Sequence, residues 1–185
     1  MDFTRQELHV RRIECRGFRR SDGLWDIEGT LRDNKTYPFE LGDRGTVTPD
    51  DPVHEMSLRL TFDEEMTIRD VGVVMAKTPY AICPCAAAIM PALIGVRIGV
   101  GWLGEVRKRL PRTERCTHLY EMLPVLATAA WQTMSIQRKK PSSDPAKIDT
   151  CYAYEAERLR LRTGATPDPV SSARRSSGDP PGRAP

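Results

Sequence analysis

The chain has 185 residues and a mass of 20.8 kDa, a length that suits one domain, because globular domains peak at about 100–150 residues. Hydrophobic residues make up 39% and aromatics 6%, enough for a modest core, while 28 Lys+Arg against 25 Asp+Glu leave a formal charge of +3, too small an excess for a nucleic-acid-binding surface. The opening Met1-Asp2-Phe3-Thr4-Arg5 leads into no apolar run of signal-peptide length, and five irregularly spaced cysteines (Cys15, Cys83, Cys85, Cys116 and Cys151) make a poor disulfide framework, so the sequence reads as cytoplasmic.

In chain order, residues 8–18 and 24–31 read as two antiparallel strands. They flank Arg19-Arg20-Ser21-Asp22-Gly23, whose Asp-Gly step suits a hairpin because glycine tolerates positive φ. Residues 43–52, dense in Pro, Gly and Asp, read as a loop. From Met56 the alternation is strict: Met56, Leu58, Leu60 and Phe62 share one face, and Ser57, Arg59 and Thr61 the other. After Asp63-Glu64-Glu65 the apolar phase shifts between Ile68 and Val71, which predicts a bulge near Arg69-Asp70 inside a second hairpin.

The remainder reads as helical. Residues 86–94 are Ala-rich, and the apolar stretch continuing to Leu103 is broken by Pro91, Gly95, Arg97, Gly99 and Gly101, which excludes a membrane span. Residues 102–110 form a short helix, and residues 117–134 form the main core helix, with apolar residues at three- and four-residue steps and Pro124 inside it. Residues 147–162 predict a charged helix, and residues 163–185, with five Pro, three Gly and four Ser, a disordered tail. The expected architecture is one α+β domain over residues 1–162, two antiparallel hairpins followed by about three helices.

Three element boundaries hold chemically capable side chains: Val53-His54-Glu55-Met56, Ile82-Cys83-Pro84-Cys85, and Cys116-Thr117-His118-Leu119-Tyr120-Glu121. Thiolate and imidazole together select zinc or iron over magnesium or calcium. With Thr117 as N-cap, Cys116 falls just outside the helix and His118 in its first turn, so both can face one centre. The expected ligands are His54, Cys83, Cys116 and His118, with Glu121 or Glu55 as general base. Two other readings stay open: a metal-free dimeric or adaptor module in which these residues only pack, and a metal-free thiol enzyme using Cys116 with His118 as its base. Neither a small-molecule nor a protein partner is specified, while nucleic acid and membrane are not expected. Cys15, Cys85 and Cys151 gain no assigned role.

Arg12-Ile13-Glu14, Asp22-Gly23-Leu24-Trp25-Asp26-Ile27-Glu28-Gly29, Val53-His54-Glu55-Met56 and Cys116-Thr117-His118-Leu119 resemble a bacterial family catalogued as domain of unknown function 2889, over residues 11–133. That resemblance implies no activity. The order of the ligand stations is also similar to that of iron–sulfur cluster scaffold proteins of the IscU and NifU N-terminal type. Such a likeness implies an antiparallel sheet followed by helices, with ligands at a strand mouth, at a Cys before the first helix and at a His/Cys pair opening the last. His54, Cys83 and the pair Cys116/His118 stand at those stations, but the strand mouth here carries no Cys and Thr117 separates Cys116 from His118, so a single ion replaces a cluster in this expectation.

Overall fold

A computed structural model of the chain describes residues 3–137 and 151–163. These fall into two compact units divided after Ile136. The first is an α+β fold: four strands in the order β1-β2-β5-β6, all antiparallel, followed by helices. β1 (His9–Arg19) and β2 (Trp25–Lys35) form the first hairpin. Its turn is set by Gly23 at φ +86 and by Asp22, whose carboxylate accepts the Leu24 N–H at 3.2 Å. β3 (Phe39–Glu40) and β4 (Thr46–Val47) make a small ribbon, and β4 falls within residues 43–52, the stretch that the sequence reads as loop. β5 (His54–Phe62) and β6 (Ile68–Lys77) form the second hairpin, and Arg69 is the bulged residue, since Thr61 pairs with Asp70 and Phe62 with Ile68.

One face of the sheet is apolar. Trp25, Ile27 and Leu31 of β2 and Met56, Leu58, Leu60 and Phe62 of β5 are all buried, as period-2 alternation requires. Over that face lies α2 (Thr117–Thr133), packed on β1, β2 and β5 through Leu119, Met122, Leu123, Leu126, Ala127 and Ala130. The helix continues through Pro124, which deprives the Tyr120 carbonyl of its usual helical donor. It also comes close to the sheet at two glycines: a Cβ on Gly29 would meet Leu126 at 2.9 Å, and one on Gly17 would meet Thr133 at 1.8 Å.

Residues 86–94 do not form the expected α-helix. Two 3-10 turns, Cys83–Ala87 and Met90–Leu93, take their place. Pro91 supplies no N–H to the Ala87 carbonyl and so breaks an α-helical ladder through residues 86–94, and Gly95 at φ +84 turns the chain back along β6. There Ile68 donates to Val96 at 2.9 Å and Ile98 to Met66 at 2.8 Å. α1 (Trp102–Arg109) follows, burying Trp102 and Val106.

The second unit, described by itself, has a 3-10 turn at Tyr152–Tyr154 and α3 (Ala156–Thr163), so the helix expected from residue 147 begins at Ala156. Residues 147–150 of that expected helix, and residues 164–185 of the expected tail, lie outside the described residues. No described helix is long and apolar enough to cross a membrane.

Candidate metal centre

The alternation that buries Trp25, Ile27 and Leu31 continues to Asp33, which places a carboxylate on the core side of β2 with only 2% exposure. Strand register then sets its neighbours. Arg11 of β1 stands opposite Asp33 on one side and His54 of β5 on the other. His118 reaches the same spot from the first turn of α2, and its ring lies 3.8 Å from that of His54, centroid to centroid, at 37°. Three elements distant in sequence thus converge on one carboxylate.

Asp33 accepts a bidentate pair from Arg11, Nε to Oδ1 and Nη2 to Oδ2, each at 2.7 Å. His54 Nδ1 lies 3.1 Å from Oδ2, His118 Nε2 3.8 Å from Oδ2, and His9 Nε2 3.4 Å from Oδ1. Arg11 also donates Nη1 to Glu121 Oε2 at 2.6 Å, tying β1 to α2. Burial works to raise the pKa of Asp33, but hydrogen bonding and charge from Arg11, with smaller help from His54 and His9, outweigh it and hold the carboxyl below its ordinary value. Burial, followed by the neighbouring His118, drives His54 down to about 4 despite Asp33. His118 is lowered as well, by burial first and then by Arg11. At neutral pH the centre therefore holds an ionised carboxylate and two neutral imidazoles.

Asp33, His54 and His118 each offer a donor atom, and all three lie within 4.8 Å of one another. Ligands held at about 2.1 Å by one ion sit roughly 3.0–3.4 Å apart in octahedral or tetrahedral geometry, and the 3.1 Å between His54 Nδ1 and Asp33 Oδ2 matches that spacing. Arg11 does not exhaust the carboxylate, since two oxygens offer about four lone-pair directions.

This donor set corrects the expected His/Cys cluster, because it contains no cysteine. The reason is local. Cys116, rather than Thr117, is the N-cap residue of α2, with φ −71 and ψ 127, and its Sγ lies 3.9 Å from His118 Nδ1, whereas His118 Nε2 is the atom facing Asp33. The thiol sits on the far side of the imidazole, where it orients the ring. Cys83 lines the adjoining cleft without joining the group. Glu55 lies on the opposite face of β5 from His54, in register with Arg32 and Lys77, and Glu121 is engaged by Arg11. Among the remaining cysteines, Cys15 packs against the core, where burial pushes its thiol up, and Cys85 and Cys151 are exposed.

Beside the two imidazoles opens a cleft of about 530 Å³, lined by His54 and His118 together with Met56, Met75, Tyr80 and Cys83. Asp33 lies buried behind them. Residues 9–132 match the model of a family described as "Protein of unknown function (DUF2889)", and the chain belongs to that family. No curated protein and no solved structure matches it, so nothing links it to the iron–sulfur scaffold proteins whose order of stations it resembles.

Proposed function

We propose that this member of a family of unknown function binds one divalent transition-metal ion, zinc or ferrous iron, through Asp33, His54 and His118, and uses it on a small molecule entering the adjoining cleft. The observation that carries the reading is the convergence of the three donor atoms within 4.8 Å from β2, β5 and α2. Two imidazoles with one carboxylate suit zinc and non-haem iron alike, and three protein ligands leave a coordination position open. An ion so held supplies Lewis acidity, polarising a carbonyl or acidifying a water.

The protein's own groups have separable tasks. Arg11 keeps the Asp33 carboxylate ionised and fixes its plane. Cys116 holds the His118 ring. Glu121, committed to Arg11, anchors the first turns of α2 over β1 and acts as a positioning residue. The low value of His54 supports a ligand over a general base, because a base works best with a pKa near the operating pH, whereas a ligand has only to be neutral.

The test is metal content by plasma mass spectrometry on untagged protein, as purified and after reconstitution with zinc or ferrous iron. Near-stoichiometric metal is expected in the wild type and in Cys83→Ala, and its loss in Asp33→Asn, His54→Ala and His118→Ala. A wild type that stays empty after reconstitution, or an Asp33→Asn variant that keeps its metal, overturns the reading and leaves the cluster as an ion-pair hub between sheet and helix.

A further inference from the structure

The face of the sheet turned away from α2 is solvated, and arginines along it have carboxylate partners: Arg16 pairs with Glu14 at 2.5 Å and Arg59 with Asp70 at 2.7 Å. Arg12 and Arg32 break that pattern. They are direct cross-strand partners in the β1–β2 register and share this face. Among the described residues neither forms an ion pair. Like charges set directly opposite each other on a sheet repel, so the arrangement lowers stability unless an anion lies between them.

The chain builds a wall beside these cations. Arg32 does not turn to its other cross-strand neighbour, Glu55, but donates Nη2 to the Asp50 carbonyl at 3.1 Å, and Asn34 donates Nδ2 to the Pro49 carbonyl at 2.8 Å. The loop is thereby held against the end of β2 and borders an open concavity of about 390 Å³ lined by Arg12, Arg32, Asn34, Lys35, Thr36 and Asp50. Most of the hydrogen-bonding capacity of the two guanidinium groups is left for a ligand.

We propose that this pocket binds a phosphate group, free or carried by a small phosphorylated metabolite, independently of the centre on the other face. A planar carboxylate satisfies one guanidinium fork, whereas a tetrahedral dianion presents enough oxygens to engage both forks at once. The volume lies within the range of small-ligand pockets, about 300–1,000 Å³. Asp50 opposes the ligand: its exposed carboxylate at the rim repels an incoming anion and weakens binding.

The experiment is calorimetric titration of the full chain with inorganic phosphate, glycerol phosphate and acetate at low and high salt, on the wild type and on Arg12→Gln, Arg32→Gln, Asp50→Asn and Arg16→Gln. Phosphate is expected to bind, with affinity falling about tenfold or more in Arg12→Gln and Arg32→Gln, rising in Asp50→Asn and holding in Arg16→Gln. Tighter binding of glycerol phosphate identifies a metabolite as the source, and equal or weaker binding identifies free phosphate. Absence of binding, equal competition by acetate, or the same loss in Arg16→Gln overturns the proposal. The gain in Asp50→Asn does not depend on the fold surviving loss of an arginine.

Discussion

Asp33 is a charge on the core face of a strand, and its tolerance there rests on Arg11. Removing one partner of a buried pair typically costs about 3–5 kcal/mol, and a value nearer 2–3 is expected here because Arg11 is a third exposed. Denaturant unfolding of Arg11→Gln is expected to show that loss, with much of it recovered in Arg11→Leu/Asp33→Leu, where no charge is left unpaired. The imidazoles give a pH signature of the metal-free protein. With the folded-state value of His54 at about 4 against 6.5 ordinarily, the unfolded chain takes up a proton across that window which the folded chain refuses, so stability falls as pH drops from 6.5 toward 4. The loss is on the order of 3 kcal/mol at most. The depressed carboxyl of Asp33 extends the decline below 3.8. Unfolding midpoints measured between neutral pH and pH 4 should fall for the wild type and flatten in His54→Asn. His54 and His118 stand out in the sequence as ligand-capable side chains at element boundaries, but Asp33 does not, because the predicted strand stops at Leu31. The signal was present in the phase: Trp25, Ile27 and Leu31 extend by twos to Asp33. Cys116 misleads because proximity along the chain does not say which ring nitrogen a thiol faces.

At the scale of elements, both hairpins and the Arg69 bulge are legible from alternation and its change of phase, since one buried and one wet face leave little freedom in register. The two 3-10 turns are not legible, because an Ala-rich run favours a helix locally and only the combination of Pro91 and Gly95 cuts it short. Also invisible is the distance between α2 and the sheet. Gly17 lies under Thr133 with no room for a methyl group, so Gly17→Ala is expected to destabilise the fold by about 1–3 kcal/mol, the usual cost of overpacking. Thr133→Ala on that background removes the hydroxyl and methyl groups at 1.8 and 2.5 Å but leaves its Cβ at 2.7 Å, so it should restore part of the loss. Thermal unfolding of the three variants checks this, and a failure of the second change to rescue the first would show that the helix does not lie where described.

For the molecule as a whole, a metal bound only by the folded state adds stability by mass action, about 2.7 kcal/mol at a free concentration one hundred times the dissociation constant. A rise in melting temperature on the order of 5–10 °C on adding zinc or ferrous iron is therefore expected. The rise should be absent in Asp33→Asn and His118→Ala and present in Cys83→Ala. The inward row of β2 carries this coupling further. Trp25 and Asp33 are the two ends of one continuous stripe, apolar for most of its length and ionic at its tip. A slip of one residue between β2 and its neighbours turns Ile27 and Leu31 to water and sends Asp33 to the far side of the sheet, away from both imidazoles. A chain in the wrong register cannot keep a sound interior with a faulty centre. Where the proposed centre binds its ion, quality control of the pairing is built into Asp33, His54 and His118, and metal retention would be a proofreading readout of whether the strands have found their native alignment.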